Sequence, residues 1–247
     1  MIELKNISKI FNGAENSTVL DGINLAIKDG NFITVIGGNG AGKSTLFNII
    51  NGNLQPTIGA ITINGKDITK WSRIRRSNFI SCVFQDPNTG VCPDLTVAEN
   101  LSLANTRGRF RALRFFSNKK LIAGFKEKLA EFDLGLENML SKPASQLSGG
   151  QRQIITLLMA TMVKPKLLLL DEHTAALDPK IAKQVLELTQ KLVIEQKITT
   201  IMISHNMTDA IRYGDRLLML KSGKIVLDIY GEQKQNLTPA ELVVKFE

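Results

Sequence analysis

Gly37-Gly38-Asn39-Gly40-Ala41-Gly42-Lys43-Ser44-Thr45 follows the short apolar run at residues 32–36 and precedes a stretch with helical periodicity. The string fits Gly-x-x-x-x-Gly-Lys-Ser/Thr, and a strand before it and a helix after it are the context that pattern requires. Glycines let the backbone curl so that successive amides point inward, and the N-terminus of the following helix adds partial positive charge at the same spot. Such a loop suits the phosphates of a nucleotide. Lys43 would reach the β- and γ-phosphates, and the Ser44 hydroxyl would bind magnesium.

Outward from this loop the chain reads as alternating strands and helices. Strands are expected over residues 2–10 and 19–27, joined by a polar turn around Asn12-Gly13, and over 32–36. A turn is expected at Pro56-Thr57-Ile58-Gly59, then strands at 60–63 and 80–84. From 96 to 133 the pattern is helical. A helix over 149–162, a strand at 167–170, a helix over 179–195 and a strand at 199–203 then alternate, which implies a parallel sheet covered on both faces. Residues 215–220 and 224–229 flank Ser222-Gly223 as a hairpin, and Thr238-Pro239-Ala240-Glu241 reads as a capped helix start.

Composition narrows the class. The 247 residues suffice for one large α/β domain with an insert, and 43% hydrophobic with 22% charged residues argues against disorder. No apolar run approaches the roughly 20 residues needed to cross a bilayer. The start, Met1-Ile2-Glu3-Leu4-Lys5, does not have the pattern of a secretory signal, so a cytosolic location is expected. Cys82 and Cys92 match no metal-ligand spacing. The net charge of +8 is concentrated: no acidic residue lies between Glu99 and Glu127, where Arg107, Arg109, Arg111, Arg114, Lys119, Lys120 and Lys126 stand. That block could face anionic lipid, follow nucleic acid or be a solvated helix face.

Two further motifs carry chemistry. Leu167-Leu168-Leu169-Leu170-Asp171-Glu172 reads as a strand buried on both faces that delivers two carboxylates at its C-terminal end, where open parallel sheets bind ligands. Asp171 would hold magnesium and Glu172 would take a proton from attacking water, although two acids ending a strand could also be solvated caps. In Leu147-Ser148-Gly149-Gly150-Gln151, Ser148 is a good helix cap, and two glycines clear space for a phosphate at the positive end of the helix.

In this order the motifs resemble the ATP-binding subunits of ABC transporters over nearly the whole chain, with 147–151 matching the family signature. The resemblance implies an α/β fold: a P-loop NTPase core with a mostly parallel sheet, an N-terminal antiparallel β-subdomain and an inserted helical subdomain. Over residues 1–247 it implies one ATPase domain, with the helical insert at 96–146 and a C-terminal hairpin and helix at 215–247. ATP and Mg2+ are the implied cofactors. The signature would act on the γ-phosphate held by a partner chain, so hydrolysis would need two copies, most simply a homodimer. Gln85, in Val83-Phe84-Gln85-Asp86-Pro87, resembles the glutamine that senses magnesium and water. His205, in Ile203-Ser204-His205-Asn206, resembles the switch histidine, and Asp178 resembles the aspartate of a loop crossing the dimer interface. Phe11 lies where an aromatic stacks on adenine.

His173 departs from the family, which often has proline there. It is expected to be a hydrogen-bonded structural histidine. The wording is similar to a subgroup of bacterial import ATPases associated with small-solute uptake, including aromatic amino acids. The resemblance implies a peripheral location on the cytoplasmic side of the membrane, a separate permease and an external substrate-binding protein, with no specific nucleic-acid partner. Two other classes fit the motifs: a soluble ABC-type ATPase of DNA repair or translation, and a regulatory module that dimerises on ATP.

Overall fold

Alternating side chains in β1 (Ile2–Phe11) and β2 (Ser17–Ile27) send Ile2, Leu4, Ile23, Leu25 and Ile27 into the interior. The computed structural model describes residues 1–12, 17–108, 119–132 and 134–246. The Gly13 end of the expected turn therefore lies outside the described residues. β1 pairs antiparallel with β2 and with β4 (Ile58–Ile63), and β5 (Lys66–Asp67) completes a sheet of order β2-β1-β4-β5.

A second sheet is built from β3 (Phe32–Gly37), β6 (Ile80–Val83), β7 (Leu167–Asp171), β8 (Thr200–Ile203), β9 (Arg216–Lys221) and β10 (Lys224–Tyr230), in the order β10-β9-β3-β8-β7-β6. β9, β3, β8 and β7 run parallel, and β10 closes the hairpin antiparallel to β9. Leu167, Leu168, Leu169 and Leu170 are all fully buried, as a strand covered on both faces requires. The α/β class and the antiparallel N-terminal sheet are both observed.

The described chain forms two units. The first comprises Met1–Cys82, Lys166–Glu172 and Val193–Glu247 and holds both sheets except Val83, the last residue of β6. It also contains α1 (Lys43–Asn51), α2 (Arg73–Arg76), α7 (Met207–Arg212), α8 (Glu232–Gln235) and α9 (Pro239–Phe246). Ile36, Ala210, Leu217, Met219 and Leu242 form part of its core. The second comprises Val83–Pro165 and His173–Leu192. It contains α3 (Val97–Asn105), α4 (Lys119–Ala130), α5 (Gly149–Met162) and most of α6 (Pro179–Gln196).

Two features differ from expectation. Ile58 and Gly59 belong to β4 rather than to a turn, because Gly59, at φ 96°, lets the strand pass close to β1: a Cβ there would sit 2.3 Å from the Asn6 carbonyl oxygen. α2 exists because the buried Arg76 guanidinium donates to the carbonyls of Ile49, Ile50 and Thr69 at 2.6, 2.8 and 2.7 Å, tying the last turn of α1 to the chain that follows. Desolvation lowers the Arg76 pKa to about 10. Of the basic block, Arg109, Arg111 and Arg114, together with Phe110, Leu113 and Phe116, lie outside the described residues. Arg107 is no free surface charge. It donates to the carbonyls of Ala160 and Val163 at the end of α5, where carbonyls lack helical partners.

Candidate active site

Three parallel strands deliver the site in the first unit. β8 lies between β3 and β7, and the register aligns Val35, Ile203 and Asp171, so the three C-terminal ends open along one edge. After β3 comes the loop 37–42, after β7 comes Glu172, and after β8 come Ser204 and His205. The central position of β8 explains why a histidine thirty-odd positions downstream reaches the carboxylate: His205 Nε2 contacts Glu172 Oε1 directly.

Gly42, at the N-terminal boundary of α1, has φ 101°, and a Cβ there would lie 2.7 Å from Leu20 Cδ2 and 2.8 Å from the Val19 carbonyl oxygen. Only glycine holds both that angle and that approach. No side chain caps α1, whereas α3, α5 and α7 are capped by Thr96, Ser148 and Asn206. The first-turn amides of Lys43, Ser44 and Thr45 have no helical acceptor by geometry, and the helix dipole places positive potential there. This uncapped end suits a phosphate.

Lys43 is buried and donates from Nζ to the carbonyls of Gly37 at 2.7 Å and Gly38 at 3.1 Å. Burial lowers its pKa, against the opposing pull of the Glu172 and Asp171 carboxylates. The Asp171 pKa is raised, first by burial and then by its like-charged neighbour Glu172, while Lys43 and His205 pull it back. Glu172 itself sits at φ 47°, a left-handed angle uncommon outside glycine, and its amide donates to the Ile203 carbonyl at 3.2 Å.

A cleft of about 180 Å³ is lined by Val19, Asn39, Gly40, Ala41, Gly42, Lys43, Ser44, Thr45, Glu172 and His205. Val19 was not anticipated, since nothing in a valine within a strand signals a binding wall. Gly37 and Gly38 do not line the cleft and enter the site as the lysine's acceptors. A second recess is lined by Gly38, Asn39, Gly40, Ala41 and the residues from Met219 to Ser222. Asp171 is coupled to the cleft by charge. Phe11 is not among the residues lining either recess. It is 41% exposed, with Lys9 Nζ 5.1 Å from its ring centroid.

The remaining candidates belong to the second unit. Gln85 is exposed just beyond β6. Ser148 and Gln151 form a reciprocal cap on α5: Ser148 Oγ accepts from the Gln151 amide at 3.3 Å and Gln151 Oε1 accepts from the Ser148 amide at 2.9 Å. Gln151 therefore has a structural task that the sequence reading did not assign to it. A Cβ on Gly150 would lie 2.3 Å from Ile181 Cγ2, so a larger residue there would have to displace the Ile181 side chain. Asp178 caps α6, accepting from the Ile181 amide at 3.1 Å. His173 is buried, with Nε2 3.1 Å from Thr189 Oγ1, and burial lowers its pKa to about 4.

Comparison with known proteins places this arrangement. A family model described as ABC transporter matches residues 20–175. The chain is 45% identical over 249 residues to the tyrosine transport ATP-binding protein of Clostridioides difficile (strain R20291), covering 100% of this chain and 99% of that one. It is 36% identical over 237 residues to the phosphonates import ATP-binding protein PhnC of Alcaligenes faecalis, covering 92% of this chain and 82% of that one. Among solved structures, a dimeric post-hydrolysis state of the ATP-binding cassette MJ0796 bound to ADP and Pi matches with a TM-score of 0.75 and 32% identity, over 93% of this chain and 98% of that one. With the uncapped loop, the parallel strand ends and these similarities together, the chain belongs to the ABC transporter family and has the fold of its ATP-binding cassette.

Proposed function

We propose that the chain is the ATP-hydrolysing subunit of an importer, working as a pair of identical chains on a separate membrane permease. The observation that carries the hydrolytic reading is the Glu172–His205 contact at the wall of the Lys43 cleft. In this reading Lys43 exchanges the Gly37 and Gly38 carbonyls for phosphate oxygens. Ser44, Asp171 and Gln85 would hold magnesium, and that ion would offset charge on the phosphates. Glu172 orients water and takes its proton, while His205 holds the carboxylate and approaches the γ-phosphate. Phe11, 41% exposed, offers its ring to adenine. Ser148, Gly149, Gly150 and Gln151, with Asp178, act on nucleotide held by the second copy, consistent with the exposure of Ser148 at the start of α5.

Among the described residues no helix is long and apolar enough to cross a membrane. In this proposal the permease, and any external solute-binding protein, are separate chains. The chain would then work at the cytoplasmic face of the membrane. The helical insert at 96–146 is the part proposed to meet the permease. Full-length similarity to a tyrosine transport ATP-binding protein favours an amino acid as the solute. Uptake of labelled tyrosine by cells lacking this chain tests the proposal. Uptake should fall and be restored by the wild-type chain but not by Lys43→Ala. Unchanged tyrosine uptake alongside reduced phosphonate uptake would transfer the system to another solute.

A further inference from the structure

Gln153 stands two positions beyond the signature on α5, ahead of the apolar Ile154 and Ile155, and its side chain is fully buried. Its Nε2 donates to the Phe84 carbonyl at 3.1 Å, the residue directly before Gln85. Its Oε1 has no hydrogen-bond partner among the described residues, and neither does the buried Thr156 Oγ1 one turn further along the same face. A side chain kept only for packing would be apolar at this depth, because the amide leaves an oxygen stranded. What the amide contributes that an apolar chain could not is the bond to Phe84.

The other end of that segment is fixed against the same helix. A Cβ on Gly90 would fall 2.2 Å from Thr156 Cγ2 and 2.5 Å from its Oγ1. Between the two contacts the chain is braced internally: Asp86 Oδ1 accepts from the Asn88 amide at 2.9 Å and from Asn88 Nδ2 at 2.8 Å, and Thr89 Oγ1 donates to the Asp86 carbonyl at 2.8 Å. Gln85 therefore sits on a short, stiff bridge with both feet on the helix that begins at Ser148.

We propose that Gln153 is a positioning residue for Gln85, locking the Phe84–Gly90 bridge to α5 so that Gln85 and the signature turn move as one body. The proposal rests on the reading of Gln85 as a magnesium- and water-binding residue. Its test is a double-mutant cycle on phosphate release by the purified chain, with Gln153→Met, Gln85→Ala and the pair, each at saturating ATP and over a magnesium titration. Gln153→Met should slow turnover on the order of tenfold or more, since misplacement by about 1 Å can cost far more, and should raise the magnesium requirement while leaving ATP affinity unchanged. The pair should be no slower than Gln85→Ala alone. Gly90→Ala, which pushes the bridge off the helix from its far end, should give the same pattern and decides the matter if Gln153→Met does not fold. Independent, multiplying losses in the pair, or wild-type turnover in a folded Gln153→Met or Gly90→Ala protein, would overturn the proposal. If Gln85→Ala alone leaves turnover unchanged, the reading of Gln85 fails, and the positioning role falls with it.

Discussion

His173 follows the proposed catalytic carboxylate, yet its chemistry should appear in stability. Thr189 Oγ1 donates its only proton to the Val185 carbonyl at 2.7 Å, so at 3.1 Å from His173 it accepts, and the ring is the neutral Nε2–H tautomer. Burial lowers the folded-state pKa to about 4, against about 6.5 in an unfolded chain. Between these values the unfolded chain binds a proton that the folded chain excludes, so stability is full above about pH 6.5 and falls as pH drops toward 4. From pH 7.5 to 5.0 the linkage amounts to about 2 kcal/mol, at about 1.4 kcal/mol per pH unit across the window. The assay is urea unfolding followed by circular dichroism at both pH values, for wild type and for His173→Gln, which keeps a donor toward Thr189 without titrating. Wild type should lose about 2 kcal/mol more than the variant on acidification. Equal losses would show that His173 is not held neutral by burial.

Gly42→Ala forces a side chain into a left-handed angle and against the Val19 carbonyl. Strain of about 1–2 kcal/mol or more should cut nucleotide affinity about tenfold or further, measured by titration calorimetry; unchanged affinity would mean that the loop tolerates the shift. Ser148→Arg removes the reciprocal cap with Gln151, a loss of about 1 kcal/mol in unfolding experiments, and places a long cation over the exposed end of α5. It should still bind ATP but fail to dimerise with it by light scattering, and a variant that dimerises normally would count against a shared site.

The parts of the fold legible in the sequence are those set by local chemistry. Four consecutive leucines announced β7, Ser148 and the glycines after it marked the start of α5, and Thr238 with Glu241 forms the reciprocal cap their spacing suggested, with the Glu241 carboxylate 2.8 Å from the Thr238 amide. What was not legible depends on partners far away in sequence. α2 is four residues long and is held by the reach of Arg76 to Ile49 and Ile50. The loop 37–45 could be read because its motif is contiguous. The meeting of His205 with Glu172 follows from strand order, which no local pattern encodes. Gln153 left a visible trace, a polar residue leading an apolar run, but its partner Phe84 is sixty-nine positions away.

In the proposed reaction Glu172 accepts the proton of water, in a cleft completed by a second copy. Phosphate release and ATP-dependent association, measured on wild type and Glu172→Gln under the same conditions, test that role. The amide keeps the shape but cannot take the proton, so turnover should fall by about 10²- to 10⁴-fold while the ATP-bound dimer persists or accumulates. Turnover equal to wild type would remove Glu172 from the reaction.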